Sequence, residues 1–301
     1  MQKQRCSVVV LGASGRVGRL ILAEWAAHPP PGLQIRIQQR TGAAAHILWQ
    51  LASGDRALAQ AIGTADVLLV LSGVTPAPDA DYRLNTELAL AALRAGAEIA
   101  AKHLFIASSA AVYGRSDTAP VGESADLAPV SDYGRAKLAM ERACTDWLTH
   151  SPLPRPGVSF LRIGNVVGTD LFFRNLSGAN VEAPLRLDQF AEGAGPVRSY
   201  IGPASLAQVL ACLIRRAMQG DPLPLALNIG APGGGVDMAD FISALQAHGQ
   251  PAPVVRVPAP VAALASVRLS LDLLTGLCPI NADQGTAAAM VEQWLALRGA
   301  T

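Results

Sequence analysis

Runs of like charge are missing from this chain. Only 16% of its 301 residues are charged, and Lys plus Arg (24) nearly balance Asp plus Glu (23). No stretch rich in Lys and Arg breaks that balance, which argues against nucleic acid as a partner. Long apolar runs are missing too. In "MQKQRCSVVVLGASG" the run from Val8 to Leu11 follows positive charge, as in a signal peptide, but glycine ends it too early. No run reaches the length that spans a bilayer, so no membrane partner is expected. Cysteine is sparse: Cys6, Cys144, Cys212 and Cys278 are scattered, without C-x-x-C spacing or a histidine cluster. That pattern supports neither a metal site nor a disulfide framework. A reducing, cytoplasmic setting is the expectation.

Hydrophobic residues, by contrast, make up 50% of the chain, enough for a sizeable core in one large domain or a domain with a smaller appendage. In the first half, apolar and amphipathic segments alternate. "CSVVVLG" (6–12), "LQIRIQQR" (33–40), "ADVLLVLSG" (65–73), "HLFIASSA" (103–110) and "GVSFLRIGNVVG" (157–168) read as strands. Helices fit 16–28, 82–96 and 131–150, the last with Ser131 and Asp132 as caps. Apolar strands separated by amphipathic helices imply βαβ units and a parallel sheet covered on both faces. The second half is less regular, with helices expected at 203–219, 236–248 and 284–298 and strands at 225–229 and 253–257. The predicted fold class is α/β: a Rossmann-type doubly wound parallel sheet over 1–168 and a smaller C-terminal substrate-binding lobe over 169–301, with the chain crossing between them.

The first strand runs straight into Gly12-x-x-Gly15-x-x-Gly18 and a helix. Glycine permits the tight turn, close approach of backbone to a pyrophosphate, and close packing of helix on strand. The helix N-terminus then offers free N–H groups and the positive end of its dipole. Gly12, Ser14, Gly15, Arg16, Val17 and Gly18 are therefore candidate cofactor contacts. An NAD site usually places an acid after the second strand, for the adenosine ribose. Here no Asp or Glu occurs between Glu24 and Asp55, whereas Arg40 stands near that place and Arg16 lies in the turn. Two cations without an acid suit a 2′-phosphate, so NADP(H) is expected over NAD(H).

"GASGRVG", "SSAAVYG" and "YGRAK", in this order, resemble the extended short-chain dehydrogenase/reductase superfamily, specifically its NAD-dependent epimerase/dehydratase family. The resemblance implies that Tyr133 is the general acid/base, that Lys137 binds the nicotinamide ribose, and that Ser109 is the third catalytic residue, with Ser108 the alternative. Chemically the set is coherent. A free tyrosine has a pKa near 10, and an ammonium on the same helix face stabilises phenolate. The tyrosine can then exchange a proton with a substrate oxygen as hydride moves.

By the same resemblance, "LSGVT" puts Ser72 and Gly73 beside the cofactor, and "LRIGNVVG" offers Asn165 to substrate. "GPVRSYIGPASLAQVL" offers Arg198 to a substrate phosphate, and Tyr113 is a packing or substrate-contact residue. The family's dehydratases carry an Asp-Glu pair where this chain has Ala110 and Ala111, which disfavours dehydration, and no second phosphate-binding "RxGD" motif is found near 256–272. A nucleotide sugar and a smaller sugar-like hydroxy or keto compound both stay open as substrates, for an epimerase or a reductase. A non-catalytic NADP-binding redox sensor or scaffold of the same fold is the alternative. A homodimer is compatible with Leu88, Leu93, Leu138 and Trp147 on the two helices through which family members often pair.

Overall fold

The computed structural model describes residues 5–42, 46–114, 119–250, 252–261 and 263–298. In chain order, β1 (Cys6–Leu11) leads into α1 (Arg16–Ala27), followed by β2 (Leu33–Gln39), β3 (Ile47–Leu48) and α2 (Gly54–Ile62). Next come β4 (Val67–Val70), α3 (Leu84–Glu98), β5 (His103–Ser109), α4 (Asp132–His150) and β6 (Gly157–Ile163). The second half holds β7 (Asn165–Val166), α5 (Leu171–Gly178), β8 (Leu185–Gln189), β9 (Val197–Arg198), β10 (Tyr200–Ile201) and α6 (Pro203–Gln219). It ends with β11 (Ala226–Ile229), β12 (Val236–Asp237), α7 (Met238–Ala247), β13 (Val254–Pro258), β14 (Ser266–Val267), α8 (Asp272–Leu277) and α9 (Ala287–Leu297).

Seven strands form one parallel sheet in the order β11-β6-β5-β4-β1-β2-β3. The order reverses between β1 and β4, which opens a crevice at the carboxyl ends of those strands. Burial explains why β1 and β4 carry almost no polar residues. Val8 and Val10 enter one core with Ile21, Trp25, Leu206 and Leu210, whereas Val9 and Leu11 enter the other with Leu58, Leu68, Leu93 and Met140. The sheet is thus covered on both faces, as a doubly wound α/β fold requires.

Two elements from beyond residue 168 join this larger layer. Strand β11 pairs with β6, and the Trp25 indole donates to the Ala207 carbonyl on α6 at 3.2 Å. The remainder builds small ladders, β13 with β8 and β9 between β12 and β14, around an aromatic cluster of Phe172, Phe173, Tyr200, Phe241 and Trp294. The span 169–200, which reads as loop-rich, contains α5, β8 and β9. Among the described residues, no helix is long and apolar enough to cross a membrane.

One expectation needs correction. Cys212 and Cys278 are joined as a disulfide across 66 residues of sequence, with their Cα atoms 6.0 Å apart. Cysteine spacing carries no trace of it, because α6 and the end of α8 meet only in three dimensions. Cys6 and Cys144 are free and buried. Of the apolar positions compatible with a homodimer, Leu93 and Leu138 are core, and Leu88 and Trp147 are partly buried against it.

Candidate active site

The crevice at the reversal point is a cavity of about 480 Å³. The turn after β5, the N-terminal turn of α4 and the segment after β6 all line it, bringing Ser109, Tyr133, Lys137 and Asn165 together. Its other wall includes Arg16, Gly73, Thr75, Asp170, Arg174 and Arg198.

The start of α4 is capped by Ser131, whose hydroxyl accepts from the Gly134 N–H at 3.1 Å. Gly134 is required here for space. A side chain on it would run into the Ala111 carbonyl, so only glycine lets the helix slide under the turn that carries Ser109. Ser109 itself caps that turn, accepting from the Ala111 N–H at 3.2 Å, and hydrogen-bonds the Tyr133 phenol. Burial raises the phenol above its ordinary value, while Ser109 and the Arg16 charge pull it back. Lys137 is buried, with Nζ donating to the Ala107 carbonyl at 2.8 Å and standing 6.0 Å from the Tyr133 ring centroid. Desolvation pulls its ammonium down to about 8, against the Glu141 charge one turn further on.

Ser108 and Ser109 point apart. Ser108 points inward and donates to Glu141 Oε1 at 2.5 Å, whereas Ser109 faces the tyrosine. Glu141 in turn meets Arg162 in a buried two-point ion pair, at 2.8 and 3.2 Å. Arg162 continues to the Tyr113 hydroxyl at 2.9 Å, and Tyr113 donates to Asn228 Oδ1 at 2.7 Å. Tyr113 is therefore a correction as a substrate contact. It is 2% exposed, absent from the cavity wall and spent on this network, which reaches Ser108 through Glu141. Glu141, Arg162 and Asn228 were not legible from sequence, since buried charges there are recognised only by their partners.

The cofactor cradle fits a dinucleotide. Gly12 has φ +79°, and a Cβ on it would stand 2.5 Å from the Ser72 nitrogen at the end of β4. The turn therefore needs glycine for both conformation and close approach. The N-terminus of α1 carries neither a side-chain cap nor an acid in its first turn, leaving it open to an anion. Ser14 and Gly15 are exposed there, Val17 and Gly73 line the cavity, and Gly18 packs against Gly12 and Ala13. Arg40 is exposed beyond β2, away from the cavity wall. Arg16 does not turn toward it; its guanidinium enters the crevice and donates to Thr75 Oγ1 at 2.6 Å. The two arginines therefore do not converge on one 2′-phosphate.

On the substrate side, Asn165 Nδ2 donates to Asp170 Oδ2 at 2.7 Å, and Tyr200 donates to the same oxygen at 2.7 Å. The other oxygen, Oδ1, caps α5 through the Phe173 N–H at 3.0 Å. A carboxylate only accepts, so the Asn165 amide is held with its nitrogen toward Asp170. Burial raises the Asp170 pKa, and these donors oppose the shift. Arg198 donates to the carbonyls of Val197 and Leu264 at 2.8 and 2.7 Å while lining the cavity, and burial lowers its pKa. Ala110 and Ala111 also line the cavity, and neither carries an ionisable group.

A doubly wound sheet, a glycine turn at its reversal point and a Tyr-x-x-x-Lys helix beside it define a dinucleotide-binding protein of the extended short-chain dehydrogenase/reductase type. More particularly, the chain belongs to the NAD dependent epimerase/dehydratase family, whose model matches residues 8–242. A UDP-glucose 4-epimerase of Streptococcus mutans is 25% identical over 185 residues, covering 56% of this chain and 55% of that protein. The match thus spans about half of that relative's length.

Among solved structures, the UDP-glucose 4-epimerase from Brucella ovis in complex with NAD superposes with TM-score 0.80 at 17% identity, covering 96% of this chain and 97% of that one. The NAD-dependent NDP-hexosamine 5,6-dehydratase TunA gives 0.72 at 20%, covering 97% and 98%. An epimerase and a dehydratase share this fold, so the reaction has to be argued from the site.

Proposed function

We propose that this protein is an NAD-dependent oxidoreductase or epimerase acting on a secondary alcohol or carbonyl of a nucleotide sugar, with Tyr133 as general acid/base. The observation that carries the reading is the convergence of Ser109, Tyr133 and Lys137 in one cavity at the sheet's reversal point. When bound, the nicotinamide ring supplies hydride exchange with the substrate carbon. Tyr133 takes the hydroxyl proton during oxidation and returns it to the carbonyl oxygen during reduction. Ser109 hydrogen-bonds the same oxygen and holds it in line. Lys137 supplies the positive field that favours phenolate. Tyr133 and Lys137 both being in place speaks against a non-catalytic sensor, and Ala110 and Ala111 speak against dehydration. Nucleotide sugars are favoured because the relatives' names specify them and because Arg198 lines the cavity without a carboxylate partner among the described residues. The segment from 169 onward, apart from α6 and β11, serves as the substrate lobe.

The cofactor reading is NAD. Arg16 is committed to the crevice, leaving Arg40 alone at the ribose end, and the solved relatives named above are NAD proteins. Calorimetric titration with NAD and NADP is expected to give the tighter binding to NAD; the reverse order would restore Arg40 to a 2′-phosphate role. For the catalytic assignment, UDP-glucose and UDP-galactose are supplied separately to the protein, with product configuration read by chromatography and reduced cofactor at 340 nm. Tyr133→Phe should lose about a hundredfold or more in turnover while keeping its affinity for NAD. Undiminished turnover in that variant would remove Tyr133 from the chemistry.

A further inference from the structure

Arg16 and Arg174 both line the crevice, one in the glycine turn that opens α1 and the other on α5. Each guanidinium reaches the same short strap of chain after β4. Arg16 Nη2 donates to Thr75 Oγ1 at 2.6 Å, and Arg174 Nη1 donates to the Pro76 carbonyl at 3.1 Å. The strap is itself anchored, because the buried Asn85 amide accepts from the Val74 N–H at 3.1 Å and donates to the Val74 carbonyl at 3.2 Å. Both arginines are exposed at the rim, and their partners on the strap are neutral acceptors. Among the described residues, neither makes an ion pair. They are close enough that the Arg174 charge disfavours the charged form of Arg16. Asp170 is the carboxylate whose field reaches Arg16, but its oxygens are already engaged by Phe173, Asn165 and Tyr200.

Two like charges thus stand near each other beside an open helix N-terminus, and among the described residues neither is held in an ion pair. Such an arrangement costs energy unless a ligand brings negative charge between them. Guanidinium forks match phosphate oxygens in geometry as well as in charge. We propose that Arg16 and Arg174 form a clamp for a pyrophosphate, with the Thr75–Pro76 strap as its back wall. This rests on the dinucleotide reading above and adds side-chain ligands, one from beyond the sheet's first half, to what the glycine turn supplies by backbone. The place of Arg16 in the turn favours the dinucleotide's pyrophosphate; the diphosphate of a nucleotide sugar is the other source of the same chemistry.

The test is calorimetry on the full chain with NAD and with UDP as separate probes, for wild type, Arg174→Ala and Arg174→Lys. Arg174 is exposed on α5, so its removal leaves the core intact, and thermal melts check this. Arg174→Ala is expected to weaken NAD about tenfold or more and to speed its dissociation, with partial rescue by lysine and UDP unchanged. Loss of UDP affinity instead would keep the clamp and assign it to the nucleotide sugar. Wild-type affinity of Arg174→Ala for both probes would overturn it. If wild type binds no NAD, the dinucleotide reading falls and the UDP arm alone decides the clamp.

Discussion

Lys137 holds an ammonium where water hardly reaches, at 4% exposure, and burial pulls its pKa from 10.5 to about 8. At about 1.4 kcal/mol per unit, keeping that charge in the folded protein costs on the order of 3 kcal/mol at neutral pH. Part of this is offset by the bond from Nζ to the Ala107 carbonyl, worth about 1 kcal/mol. Lys137→Met keeps the volume, removes the charge and leaves that carbonyl unpaired. The variant should therefore be more stable than wild type by roughly 2 kcal/mol near pH 7, measured without dinucleotide.

The dependence on pH has a definite sign. Below pH 8 lysine is protonated in both folded and unfolded chains, so the cost is full and constant. Between about 8 and 10.5 only the unfolded chain retains the proton, so wild-type stability rises with pH toward that of the variant. Urea unfolding of both proteins at pH 7, 8, 9 and 10 measures the gap directly, and titrations common to both largely cancel in the difference. A variant less stable than wild type at pH 7, or a gap that does not change with pH, would refute the reasoning. A positive result would show a buried charge retained against stability, as expected of a functional site.

Three further outcomes are expected. Arg162→Leu strands Glu141 in the interior with Ser108 as its remaining partner and should cost about 3–5 kcal/mol in urea unfolding; a loss below about 1 kcal/mol would mean the pair is not buried as described. Tyr200→Phe keeps the ring in the aromatic cluster but removes a donor from half-buried Asp170, for a loss of about 1 kcal/mol, and unchanged stability would show that bond to be absent. Under denaturing conditions a thiol reagent should count two cysteines, Cys6 and Cys144, before reduction and four after it, whereas four at the outset in protein kept oxidised would remove the Cys212–Cys278 bond.

Much of the first half is legible in sequence because its determinants are local. The Val/Leu runs of β1 and β4 can only be strands buried on both faces, and the spacing of Gly12, Gly15 and Gly18 encodes a turn whose geometry excludes side chains. The four-residue spacing of Tyr133 and Lys137 places both on one helix face wherever that helix goes. Segments such as α5 and β8 escape a sequence reading because they are short and owe their form to contacts with distant strands.

Direction and partnership were decided by tertiary structure alone. Ser108 and Ser109 are neighbours, yet the pleat of β5 sends one to Glu141 and the other to Tyr133. Tyr113 lies beside the crevice in sequence and beneath it in space, because Arg162 and Asn228 need its hydroxyl. Arg16 reads as one of two cations for a ribose phosphate, but the fold brings it near Arg174, which comes from α5. The residue types and local periods of this chain were thus determined by sequence. Which atoms face each other was determined by the packing of segments far apart along the chain, since burial and charge pairing have no local signature.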